Sequence, residues 1–299
     1  MKKALFAYNP MSGNRFVPQN LDAITKCFQK EGVYLEIYRI SEKDRLIEYI
    51  KYTKADFIIG AGGDGTLSQI ITSMVRYGIY LPFMALGTGT SNNFTRNLDA
   101  SKSITTMEQA KKIIHDSCNG TIQTIDVGLV NKKQVFLTSL AGGNFVDTTF
   151  ETDKKLKQRL GPLAYYLKPL TELTNIKAYP IKVTVDKVTY EEKVTVFVMV
   201  NGNAVGTFDK FIDSADMADG VMELILITEA TMLENISLFR TILTGEDINA
   251  HKNIKILKGK KFHIECGSNM PITLDGEKGP VCPLDVEVIH RAIQVYVAQ

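Results

Sequence analysis

Residues 56–71 read DFIIGAGGDGTLSQII. A short apolar run leads into Gly60-x-Gly62-x-x-Gly65, and Leu67, Ile70, Ile71 and Met74 then recur on one helical face. Strand, glycine loop and helix in that order form a cradle for phosphate: glycines let the backbone approach a ligand, and the helix start offers free N–H groups. A dinucleotide fingerprint of this spacing opens the first βα unit, and an acid about 20 residues later holds the ribose. Here the loop follows the third expected strand, and residues 79–90 contain no Asp or Glu. The Gly-Lys-Ser/Thr ending of a P-loop is also absent. What remains is Gly62-Gly63-Asp64-Gly65-Thr66 at a helix start, with Asp64 able to bind Mg2+ that bridges phosphate oxygens, a set suited to a nucleoside triphosphate. A plain strand-to-helix turn with Asp64 as its cap satisfies the same spacing.

Around this stretch the first 120 residues alternate apolar runs (ALFAY, VYLEIYRI, DFIIG, LPFMAL) with segments of helical period. That rhythm predicts an α/β domain with a parallel sheet, whose ligands sit at the carboxyl ends of the strands. After about residue 122 the chain turns to successive β-rich runs, from TIQTIDVGLV to DVEVIH, which predict a mostly antiparallel sandwich or barrel. Two helical inserts interrupt them, one after Lys154 and one at ATMLENISLFRTIL. The expected boundary places residues 1–125 in the first domain and 126–286 in the second, with a cleft between them as the natural active site.

The chain has 299 residues, 35 Lys plus Arg against 33 Asp plus Glu, so no basic field invites nucleic acid. No apolar run approaches the ~20 residues of a membrane span, and the start lacks a signal-peptide pattern. A cytoplasmic protein is expected. Cys27, Cys118, Cys266 and Cys282 form no C-x-x-C pair, and the expectation is four reduced packing residues.

Two more polar, glycine-bearing loops follow predicted strands: NPMSG at residues 9–13 and LGTGTSNNFTR at 86–96. With GGDGT, and with RLGPLAYYL, VNGNAVG, SADMADG and TLDGE further on, these motifs resemble the bacterial diacylglycerol kinase-like lipid kinases, relatives of sphingosine and ceramide kinases. The resemblance covers nearly the whole chain. It implies a phosphofructokinase/NAD kinase-like nucleotide domain to which residues 287–299 return, and a β-sandwich domain for the lipid. By that analogy Asn9, Ser12, Gly62, Gly63, Asp64, Gly65, Thr66, Thr90 and Asn92 contact ATP or its Mg2+, and Arg15 or Arg96 neutralises developing charge. Asp275 aligns with the proposed catalytic base, although Asp275-Gly276 is also a strong hairpin-turn signal.

The resemblance also implies a structural Mg2+ at Asp216 and Asp219, with Asp213 beside them; the plain alternative is a solvated acidic loop. Lys154, Lys155, Lys157, Arg159 and Lys168 surround Leu160, Leu163, Tyr165 and Tyr166, a mixture suited either to an anionic lipid surface at the inner face of a membrane or to a packed helix. A homodimer is a further expectation taken from relatives. Asn93 stands where the family usually has Asp, a change that bears on metal binding. The activity implied is ATP-dependent phosphorylation of a lipid hydroxyl, with diacylglycerol as first acceptor. Phosphatidylglycerol, a sphingoid base, a long-chain alcohol or NAD are alternative acceptors, and a noncatalytic nucleotide-binding protein is a further reading.

Overall fold

The computed structural model describes residues 1–41, 46–89, 91–98, 103–144, 176–204, 212, 214–244, 248–267 and 269–297. Two compact units emerge: Met1–Val127 with Ile289–Gln299, and Gly128–Val288.

In the first unit the chain runs β1 (Lys2–Tyr8), a 3-10 turn (Gly13–Arg15), α1 (Phe16–Gln19), α2 (Leu21–Lys30), β2 (Val33–Arg39), α3 (Leu46–Tyr52), β3 (Phe57–Gly62), α4 (Asp64–Arg76), β4 (Phe83–Gly87), α5 (Asn93–Asn97), α6 (Met107–Asn119) and the start of β5 (Thr121–Val130). β1 pairs in parallel with both β2 and β3, and β3 pairs in parallel with β4. The resulting order, β4-β3-β1-β2, reverses direction between β1 and β3. In open α/β sheets such a reversal is where ligands bind, beyond the carboxyl ends of the strands.

Apolar periodicity explains why the helices stay on the sheet. In α4, Leu67, Ile70, Ile71 and Met74 are all buried, each contributing about 1.5–3 kcal/mol by leaving water. In α2 the buried pair is Ile24 and Phe28, which join Phe6, Phe57 and Met84 in one core.

The second unit continues through β6 (Gln134–Phe136), β7 (Ser139–Gly143), β8 (Tyr179–Val185), β9 (Val188–Val200), β10 (Met222–Thr228), α7 (Met232–Thr244), β11 (Ile254–Gly259), β12 (Lys261–Cys266), β13 (Ile272–Leu274), β14 (Glu277–Lys278) and β15 (Leu284–Val297). Its strands are antiparallel, in the order β14-β13-β7-β9-β8-β12-β15, with β10 and β11 branching from β9. Phe136, Phe197, Phe262, Leu224 and Ile264 centre its core. β15 begins against β12 and ends beside β4, Val295 opposite Phe83, so the last residues complete the parallel sheet. The fold is therefore mixed α/β, parallel first and antiparallel after, as its sequence rhythm predicts.

One expectation is overturned. Cys266 and Cys282 are joined as a disulfide with Cα atoms 5.7 Å apart, whereas Cys27 and Cys118 are free. The physical reason is strand register: the β12/β15 pairing ends with Ile264 opposite Leu284, and the two cysteines lie two residues beyond that pair, one on each chain segment. The helical insert expected after Lys154, through Leu173, lies outside the described residues.

Candidate active site

Three loops meet in the first unit, and glycine is what lets them. Gly13 adopts φ +56°, and a Cβ there would lie 1.9 Å from the Thr88 carbonyl oxygen. The loop after β1 is thus pressed against the loop after β4. A Cβ on Gly89 would lie 2.6 Å from the Cα of Gly63, so the second and third loops also touch backbone to backbone. Thr88 N–H donates to the Gly62 carbonyl at 2.9 Å. Side chains complete the junction: Asn9 Nδ2 donates to Thr66 Oγ1 at 3.1 Å, while Asn9 Oδ1 accepts from the Met11 N–H at 2.9 Å. Ser12 is half-buried at the start of the 3-10 turn, with no side-chain capping bond.

Helix α4 begins at Asp64 after an extended Gly63 and has no side-chain cap. Its first-turn amides and positive dipole end are therefore the anion-attracting element of the crevice, with Gly65 and Thr66 in that turn. Asp64 itself caps a different helix. Its Oδ1 accepts from the Phe94 N–H at 3.0 Å and its Oδ2 from the Asn93 N–H at 3.1 Å, at the start of α5. The carboxylate thus ties the start of α5 to the glycine loop after β3.

Asn92 is fully buried in the left-handed conformation, φ +49°. Its side chain accepts from Gly89 N–H (2.9 Å) and donates to the Gly89 carbonyl (3.0 Å) and to Ser103 Oγ (2.6 Å). It therefore shapes the Gly89 turn from within. Asn93 Oδ1 accepts from Arg96 Nη1 at 3.2 Å, so Asn93 holds an arginine one helical turn on. Arg15 is exposed, and Thr90 lies outside the described residues. Sequence reasoning overlooked Thr88 and Ser103. Thr88 is 2% exposed and its hydroxyl meets no hydrogen-bond partner among the described residues; a polar residue between two glycines was the available signal.

In the second unit Asp275 and Gly276 make the two-residue turn between β13 and β14, both with positive φ, 49° and 83°. Asp275 tolerates that conformation because its carboxylate folds inward. Oδ2 accepts from Leu137 N–H (2.8 Å); Oδ1 accepts from Thr138 N–H (2.8 Å), Thr138 Oγ1 (2.8 Å) and Ser139 N–H (3.1 Å). Burial pushes the Asp275 carboxyl above its ordinary pKa, and the four donors oppose that shift. Asn201 holds the same segment from the other side, donating to the Leu137 carbonyl at 2.9 Å.

Asp216 and Asp219 each close a tight local turn, Asp216 Oδ1 accepting from Ala218 N–H and Asp219 Oδ1 from Val221 N–H. Asp219 Oδ2 is 2.9 Å from Lys258 Nζ, which also lies 2.9 Å from Glu223 Oε1. A cation bound through that outer Asp219 oxygen would have to displace the lysine ammonium. Among the described residues no group of three or more His, Cys, Asp or Glu is arranged to hold a metal. Asp213 lies outside the described residues.

Residues 3–130 match the family model described as the diacylglycerol kinase catalytic domain, and residues 146–297 match the YegS C-terminal NAD kinase beta sandwich-like domain. A protein of Bacillus subtilis (strain 168) named diacylglycerol kinase is 28% identical over 298 residues, covering 99% of this chain and 96% of its own length. A namesake from Staphylococcus carnosus (strain TM300) is 27% identical, covering 99% and 95%. Among solved structures, a diacylglycerol kinase from Bacillus anthracis str. Sterne superposes with a TM-score of 0.78 at 26% identity, covering 99% of this chain and 97% of its own. Another structure from that organism reaches 0.82 at 24% identity, covering 99% and 95%. With both halves matched in order and the whole length aligned, this chain belongs to the bacterial diacylglycerol kinase-like lipid kinase family and is a kinase.

Proposed function

We propose that the protein transfers the γ-phosphoryl group of ATP to the hydroxyl of diacylglycerol, giving phosphatidic acid. The observation that carries this reading is the junction of three glycine loops at the β1/β3 reversal, with the uncapped start of α4 facing the same strand ends. Such a crevice accepts a triphosphate. Asn9, Ser12, Gly62, Gly63, Gly65 and Thr66 line or shape it, and Asn92 sets the Gly89 turn. When bound, Mg2+ would offset the charge on the phosphate oxygens, with the Asp64 carboxylate as the hard oxygen donor closest to the glycine loop. Arg96, held by Asn93, and Arg15, at the end of the turn after Gly13, are the arginines that could neutralise developing charge.

The second unit would serve the acceptor, with Asp275 taking the hydroxyl proton. Burial raises the proton affinity of Asp275, the direction a general base requires. A lipid acceptor implies contact with a membrane surface, and no helix among the described residues is long and apolar enough to cross one.

The test is purified protein with Mg-ATP and detergent-dispersed diacylglycerol, phosphatidylglycerol, sphingoid base or long-chain alcohol, with phosphorylated lipid read by mass spectrometry. Phosphatidic acid as the dominant product supports the proposal. A different phosphorylated lipid moves the acceptor, and no product while ATP binding is intact overturns the activity.

A further inference from the structure

The disulfide between Cys266 and Cys282 closes the root of one particular excursion. Residues 267–281 leave the β12/β15 ladder, form the β13–β14 hairpin with Asp275 at its tip, and return. The hairpin sits at the edge of its sheet, β14 outermost and β13 paired on its inner side with β7 through three residue pairs, Ile272 to Gly142, Thr273 to Ala141 and Leu274 to Leu140, while Ile272 and Leu274 reach the core of the unit. Its other anchors are Asp275 N–H to the Ser139 carbonyl at 2.8 Å and the Asp275 carboxylate itself. An edge hairpin this short gains most from a covalent clamp at its base, because the clamp removes the open conformations available to the loop.

Both cysteines are half-buried where the core of the unit meets its surface. Cys266 lines a surface groove of about 600 Å³ with Lys182, Lys193, Glu191 and Glu265, and Cys282 is half-buried between exposed Val281 and Pro283. The free cysteines are elsewhere, in the first unit, and burial pushes the Cys118 thiol up to about 11, which keeps it a poor competitor for exchange.

We propose that Cys266 and Cys282 are a thiol–disulfide switch that sets how firmly the Asp275 hairpin is held. In the reduced form, the thiolate of one cysteine attacks a low-molecular-weight disulfide RS–SR, forming a mixed disulfide and releasing RS⁻. The second cysteine's thiolate then displaces the remaining RS⁻, closing the Sγ–Sγ bond. Two electrons pass from the cysteine pair to the oxidant, and the two cysteine protons leave with two molecules of RSH. Reduction by thiols reverses each step. The proposal concerns the hairpin whether or not Asp275 is the catalytic base, so its readout is structural.

The test incubates the full chain in glutathione buffers from fully reduced to fully oxidised. Thiols are alkylated under denaturing conditions and counted by mass spectrometry, and amide hydrogen exchange is followed in peptides covering residues 267–281. The expected result is loss of two alkylatable thiols, mapped to Cys266 and Cys282, together with exchange at Asp275 and Gly279 that is roughly tenfold faster or more in the reduced form. A Cys27→Ser/Cys118→Ser variant should respond like the unaltered chain, and a Cys266→Ser/Cys282→Ser variant should exchange at the reduced rate in every buffer. If all four thiols stay alkylatable at the oxidised end, there is no switch. If the bridge forms while exchange in the hairpin is unchanged, the clamp does not control the hairpin and the proposal fails.

Discussion

Asp275 combines two demands that pull its pKa in opposite directions. Its carboxylate is buried, which favours the neutral acid, yet three backbone N–H groups and a hydroxyl point at it, which favours the anion. Replacing it by Asn would aim an amide group at one of those donors, leaving a buried N–H unsatisfied. Asp275→Asn should therefore lower stability by about 1–3 kcal/mol in urea titration, so lost activity in that variant cannot alone identify a base. The pH dependence separates the roles. Because burial raises the folded pKa above the ordinary value of 3.8, stability from this group is fully present below that value and declines as pH rises through the folded pKa. The stability difference between the unaltered chain and Asp275→Asn should shrink with rising pH across that window; a flat difference would show that the carboxyl is not shifted. Asp-Gly announces the turn in the sequence, but not the inward carboxylate, because its partners are residues 137–139, far away along the chain.

At the scale of loops and helices, local pattern was a good guide wherever partners are close in sequence. The glycine loops and the buried face of α4 are of that kind. Asp64 is not: it reads as a cap for its own helix, and the structure gives its oxygens to α5, some 29 residues on. The cysteine bridge was hidden for the same reason, since only the β12/β15 register opposes the two positions. Loop contact makes a direct prediction. Gly13→Ala places a methyl group where Thr88 has a carbonyl oxygen, in a left-handed backbone as well, so it should cost about 2 kcal/mol or more in unfolding free energy. An alanine variant as stable as the parent would mean the first and third loops are not in contact. α7 offers a second. Glu234 accepts from Thr231 N–H at 2.7 Å, returns a bond to Thr231 Oγ1 at 3.4 Å, and pairs with Lys252 at 2.5 Å. The lysine, then the Thr231 bonds, hold its carboxyl down at about 2. The stabilisation is present above the ordinary value of 4.5 and is lost as pH falls toward about 2. Carbon NMR should find the Glu234 midpoint near 2, moving upward in Lys252→Ala; no movement would remove the lysine as the main cause.

For the whole molecule, the consequential feature is that the first unit is built from two separate pieces of chain. Met1–Val127 is closed by Ile289–Gln299, which supplies Val295 opposite Phe83 and sets the Tyr296 ring 5.2 Å from Phe57. The returning segment also serves Asp126, which is fully buried and accepts from Arg291 N–H at 2.6 Å and pairs with His290 Nδ1 at 2.8 Å. The β-rich run at the end of the sequence shows a strand, but composition alone does not say which sheet it joins; the family resemblance supplied that. A chain ended after Val288 would uncover one side of β4 and take two hydrogen bonds from a buried carboxylate, a loss of several kcal/mol against total stabilities of about 5–15 kcal/mol. Gly128–Val288 is continuous and keeps its own core. Hydrogen exchange on the shortened chain should therefore show protection lost through residues 2–127 while β8, β9 and β12 stay protected. Loss of protection in both regions together would mean that the second unit depends on the first for its fold, and retained protection in both would mean that the returning strand is dispensable to the parallel sheet.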